Sequence, residues 1–166
     1  MRSKLAKSQT NVSSSDFRKT TWGMSRSEVK LAESRYPVSE NETHITYNGR
    51  FMKLEATVGF HFINDSLIEA GYAFPEVLTD PESYIHKYDK VRLELSCRYG
   101  LPIIDKEIGV SCENDSCCMQ PSPTADNKIF IAEWKTPRSI IRLLLVSDKL
   151  STEFGILHIS REHETN

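Results

Sequence analysis

The residues best suited to chemistry are four cysteines, Cys97, Cys112, Cys117 and Cys118, the last three close together in an irregular stretch. Three thiols plus Cys97 or a histidine would supply four ligands, but they lack the paired Cys-x-x-Cys spacing of a structural zinc site. Three states stay open: free thiols in a reducing compartment, one or two disulfides, or a small-ligand or metal site on the Cys112–Cys118 loop. Five histidines offer less. His44 and His61 fall on expected strands, His86 on a helix, and His158 and His163 near the end. No motif sets a nucleophile beside any of them. Gly-rich phosphate loops, nucleophile elbows and metal-binding helix motifs are missing from the sequence. We therefore assign no catalytic residue and no cofactor, and keep a small hydrolase or isomerase only as a second alternative. Asn-x-Ser/Thr tripeptides start at Asn11, Asn41, Asn64 and Asn114, which matters only in a eukaryotic secretory setting. Trp22 and Trp134 read as core residues rather than partner anchors.

Composition narrows the classes further. With 166 residues, 39% of them hydrophobic, the chain can bury one core of ordinary size. Its 21 basic and 23 acidic residues give a net charge of -2, which provides no footprint for nucleic acid or an anionic membrane. No apolar run reaches the roughly 18 residues needed to span a bilayer. The chain as it stands reads as cytoplasmic, or as exported or lipid-anchored if a leader was trimmed.

The elements that would position these groups are well punctuated. Residues 1–16 are polar and read as a disordered tail, and residues 161–166 as a second tail. Ser25 and Glu28 form a capping box, with Met24 and Val29 at the positions of a hydrophobic staple, so a helix runs from about Arg26 to Ser34 and ends before Pro37. Asn48-Gly49 predicts a two-residue hairpin turn, which would place Ile45 opposite Met52. Met52, Leu54, Ala56, Val58, Phe60 and Phe62 alternate as one face of a strand, and Asn64-Asp65-Ser66 turns the chain into Leu67 to Phe74. Asp80 or Thr79 would cap a second helix with Pro81 in its first turn and a stripe of Tyr84, Tyr88, Val91, Leu95 and Tyr99. That helix ends at Gly100, with Leu101 expected to pack back on its last turn. A short strand near Ile108 to Ser111 precedes strands over Lys128 to Lys135, Ser139 to Val146 and Leu150 to Ser160. The fold class expected is α+β: one domain over residues 17–160, built of two tandem helix-plus-three-stranded antiparallel meander units (17–78 and 79–160), with the helices on one face.

Phe17-Arg18, Trp22-Gly23-Met24-Ser25, Glu28-Val29, Ser83-Tyr84-Ile85, Tyr99-Gly100 and Trp134-Lys135-Thr136-Pro137 together resemble a group of uncharacterised bacterial domains. More remotely, the Gly-Met-Ser helix start is similar to small outer-membrane-assembly lipoproteins and to the β-lactamase inhibitory protein fold. That resemblance implies a domain that acts by binding other proteins, and it carries no catalytic residues.

The expected function is a non-enzymatic protein-interaction or structural module with a protein partner or a second copy of itself. Ser139 to Val146 is apolar on both faces, and so is Leu150 to Ser160. One face must take the long helix, which leaves Ile140, Leu144, Val146, Phe154 and Ile156 as the expected partner surface. Cys97 lies opposite the helical stripe, on the side of His86, Lys90 and Leu93. In exported protein it should therefore pair with Cys112, Cys117 or Cys118, closing a loop of about 15 to 20 residues and stabilising by about 3 kcal/mol. Non-reducing peptide mapping checks this; four free thiols in native material would refute it.

Overall fold

The computed structural model describes residues 15–74, 81–109, 128–147 and 152–163. Asp16, at the end of the expected tail, accepts the Trp22 backbone N–H at 2.9 Å and pairs with Arg138 at 2.8 Å. Phe17 to Thr20 closes a tight turn, with the Thr20 hydroxyl donating to the Phe17 carbonyl at 2.8 Å, and Phe17 enters the core. Helix α1 (Arg26–Glu33) begins at the Ser25–Glu28 capping box and ends at Ser34 in the left-handed region, φ 54°. Strands β1 (Ser39–Glu40), β2 (His44–Phe51), β3 (Leu54–Ile63) and β4 (Ser66–Ala73) form a meander. Helix α2 (Pro81–Tyr99) leads to a second meander of β5 (Ile104–Gly109), β6 (Lys128–Lys135), β7 (Ser139–Ser147) and β8 (Thr152–Ser160), followed by a 3-10 turn at Arg161–His163.

These strands make one eight-stranded antiparallel sheet in the order β1-β2-β3-β4-β8-β7-β6-β5. The expectation of two tandem helix-plus-three-strand units is therefore overturned; what holds is an α+β chain with antiparallel sheet. The physical reason lies at the edges and in the middle. β1 and β5 add polar, exposed edge strands that lack a period-two apolar pattern, and β4 pairs with β8 through Glu69 to Ala73, so no boundary separates two units.

Hairpin register also differs from expectation. Asn48 and Gly49 lie inside β2, opposite Thr57 and Ala56, and the turn falls at Met52-Lys53, with Met52 at φ 56°. This register sets Ile45 against Phe60 and Tyr47 against Val58, burying all four, whereas a turn four residues earlier would pair Ile45 with Met52 and Tyr47 with Arg50. Gly49 serves packing instead: a Cβ there would lie 2.5 Å from Val58 Cγ2. The two-positive-φ turn forms at Asn64-Asp65, φ 50° and 59°. A bulge follows, since Leu67 faces Phe62 and Glu69 faces His61, leaving Ile68 as the extra residue. The Gly100 terminus of α2 forms as expected at φ 87°, but Leu101 is 89% exposed and does not pack back.

Both helices cover the same sheet face. α1 and the Phe17 turn pack with Ile45, Tyr47, Val58, Phe60, Phe62, Leu67 and Ala70. Tyr84, Tyr88, Val91 and Leu95 of α2 pack on Ala132, Trp134, Ile141, Leu143, Leu145, Phe154 and Ile156. Trp134 donates its indole N–H to the Gly100 carbonyl at 2.9 Å, while Trp22 stays half-buried and donates to the Ser139 hydroxyl at 2.9 Å. Glu33, buried, takes a two-pronged bond from Arg18 at 2.8 and 2.9 Å. Burial alone would lower the Arg18 pKa, but the bonds to Glu33 and Tyr72 hold it above its ordinary value.

The seam between β4 and β8 depends on glycine. A Cβ at Gly71 would lie 2.4 Å from the Ile156 carbonyl oxygen, and one at Gly155 would lie 2.8 Å from that of Tyr72. Gly59, one strand away, has nothing within 4 Å. Gly71→Ala should cost about 3 kcal/mol by forcing the seam apart, whereas Gly59→Ala should gain about 0.5 kcal/mol from reduced chain entropy. Urea unfolding of the two variants checks this; equal shifts would show that the seam tolerates a side chain.

Candidate functional site

Three surfaces can bind something, and each follows from how the elements pack. The first is a groove beside α2. With Tyr84, Tyr88, Val91 and Leu95 turned to the sheet, the flanks of the helix leave Ser83, Ile85, His86, Lys87, Asp89 and Lys90 beside the β2–β3 turn. Together with Met52, Lys53 and Leu54 they border about 1160 Å³ of open space.

The second lies on the helix-free face. His44, His61 and Glu69 sit side by side on β2, β3 and β4. The two imidazoles stack at 4.3 Å with a 5° tilt, and the Thr43 hydroxyl lies 2.8 Å from His44 Nδ1. Gly59 and Gly71, paired next to them, help line a depression of about 260 Å³. His61 and Glu69 also border an adjoining cavity of about 510 Å³ with Ile63, Ile68, Ile140, Ile159, Arg142, Glu162 and His163. Arg142 is held by Glu133 at 2.8 Å. Among the described residues no three His, Cys, Asp or Glu side chains are placed to hold a metal ion.

The third is the same face over β6, β7 and β8. Leu144 pairs with Gly155 and Ile131, Val146 with Ile129, and Ile140 with Ile159, so these side chains share one surface with Leu157. Of the five residues expected to form a partner surface, Leu144 and Val146 are half-buried here and Ile140 is 1% exposed. Phe154 and Ile156 face the other way, in the core under α2. The register puts Leu157 and Ile159 where those two were expected.

Comparison of the chain with protein-family models, with curated proteins and with solved structures finds no match. Function is therefore argued from geometry alone. Cys97 is an exposed, free thiol on α2, and Cys112, Cys117 and Cys118 lie outside the described residues. The stacked histidine pair went unseen in the sequence, because a turn at Asn48-Gly49 does not bring His44 opposite His61. The alternation of polar residues along β3 was the available signal, once the turn is moved to Met52-Lys53. The groove left no trace in the sequence, since the outward residues of an amphipathic helix read simply as a solvated face.

The buried histidine, His158, lies in none of these places. His158, on β8, is buried against Phe17 at 5.0 Å and Tyr99 at 6.3 Å between ring centroids, and its Nδ1 has no hydrogen-bond partner. Burial, with a smaller contribution from the Arg98 charge, pushes its pKa down from 6.5 to about 4. Burial likewise pushes the Tyr88 phenol up, and its hydroxyl is also unpartnered. In the folded state His158 is thus neutral where the unfolded chain takes up a proton. Its contribution is fully present above pH 6.5 and is lost as the pH falls toward 4. That loss amounts to about 3 kcal/mol, and His158→Phe should flatten this part of the curve. Urea titrations between about pH 7 and about pH 4 measure it; an unchanged slope in the variant would place the sensitivity elsewhere.

Proposed function

We propose that this chain is a non-enzymatic protein-interaction module whose contact surface is the helix-free face of β6, β7 and β8. The observation that carries the reading is the one-sided cover among the described residues. Both helices pack on one face, while Ile129, Ile131, Leu144, Val146, Leu157 and Ile159 lie half-buried on the other. A sheet with a single covered face ordinarily keeps its other face polar. The first four strands follow that rule, showing His44, Thr46, Asn48, Thr57, His61 and Glu69 on this side. Apolar area of this kind on one part of a face favours contact with another polypeptide. The occupant is a second copy of the chain or a partner protein, packing sheet on sheet at about 10 Å.

An enzymatic reading has less to rest on. The strongly shifted groups His158 and Tyr88 line none of the cavities described above, and catalytic groups are ordinarily both perturbed and accessible. The alternative through the cysteine loop falls outside the described residues.

Leu144→Asp tests the surface. Association, read by sedimentation of the full chain alone and with cell extract, should be lost, while stability of the monomer changes by no more than about 1 kcal/mol. A large loss of stability in a protein that sediments as a monomer before and after would show that this face is core.

A further inference from the structure

We propose that the groove between α2 and the β2–β3 turn binds a long-chain carboxylate, a ligand with an apolar tail and one anionic head. Its volume of about 1160 Å³ lies just above the usual range of small-molecule sites, about 300–1,000 Å³. Met52, Leu54 and Ile85 supply an apolar lining. Met52 is 48% exposed although it is an unbranched apolar side chain on a tight turn in the left-handed region, where glycine or asparagine would be easier. An adaptable thioether held open to solvent beside a helix suits a flexible hydrocarbon chain.

Among the described residues, the charges around this lining have one sign in excess. Among these residues, Lys53, Lys87 and Lys90 border the groove with His86, against one carboxylate, Asp89, and Lys87 has a partner of its own. Asp89 is already shared, lying 3.6 Å from Arg92 one helical turn on. Lys53 and Lys90 are exposed and have no carboxylate partner among the described residues. The chain as a whole carries a net charge of -2, so this basic border is local and cannot be ascribed to a basic protein. Charge complementarity therefore selects an anionic head over a cationic or neutral one, and the apolar lining selects an amphiphile over a free phosphate or a nucleic acid. A carboxylate accepts charge-assisted bonds from lysine ammonium groups, while the tail is removed from water along Met52, Leu54 and Ile85.

Calorimetric titration with dodecanoate below its micelle concentration tests the site in the full chain. Binding should saturate at one molecule per chain, weaken with added salt, and exceed that of dodecyltrimethylammonium by about tenfold or more. The double variant Lys53→Glu/Lys90→Glu changes two exposed side chains and should reduce dodecanoate affinity by about tenfold at an unchanged thermal midpoint. Leu144→Asp, on the opposite sheet face, should bind dodecanoate as the parent does, so failure of the interaction surface and failure of this site are separable. Equal affinity for the two amphiphiles, binding of many molecules per chain, or unchanged affinity in the lysine variant would each overturn the proposal.

Discussion

The joint between β4 and β8 is the constraint on which the rest depends. Two meanders, each local in sequence, become one sheet only where Glu69 to Ala73 pairs with Gly155 to Ile159. The strands approach so closely that neither Gly71 nor Gly155 has room for a Cβ against the opposite carbonyl. A glycine in a strand interior ordinarily weakens it, by about 0.5–1 kcal/mol relative to alanine. Here that cost is offset by continuity, because among the described residues the eight-stranded sheet has the short β1 and the six-residue β5 as its edges.

That joint also brings the two halves of the core together on one face. Tyr72, on β4, touches both hydrophobic clusters, and Phe17 reaches it from the turn before α1 at 5.2 Å between ring centroids. The Arg18–Glu33 bond ties that turn to α1, and Asp16 ties it to Arg138 in the β6–β7 turn. His158 sits where these parts meet, too deeply buried to carry charge near neutrality. A residue type often read as functional thus serves here as a core side chain with one unsatisfied nitrogen, and its chemistry shows as pH-dependent stability.

Among the described residues both helices lie on one side of the sheet, and the two halves of its other side differ. Over β2, β3 and β4 it is polar, hollowed by Gly59 and Gly71; over β6, β7 and β8 it is aliphatic around the Arg142–Glu133 pair. The groove beside α2 has a separate origin. It arises because a helix packed on β6 to β8 leaves space between its first turns and the β2–β3 hairpin.

The local grammar was legible in the sequence. The Ser25–Glu28 box, the Met24 and Val29 pair, Pro81 at the start of α2, its inward stripe and Gly100 at its end are set by backbone donors, ring geometry and 3.6-residue spacing within a few residues. The double apolar face of Ser139 to Val146 was equally plain. What the sequence could not determine were quantities fixed between distant residues. Whether Asn48-Gly49 or Met52-Lys53 turns the hairpin is decided by which register buries Ile45, Tyr47 and Phe60 against α1, which overrides the turn preference of a single dipeptide. Whether Phe154 and Ile156 join Leu144 or oppose it is decided by β7–β8 pairing, where a shift of one residue exchanges the faces. Capping and periodicity act through neighbouring bonds and so are written locally; strand partners, register and the surfaces they leave open depend on contacts that exist only once the whole sheet has closed.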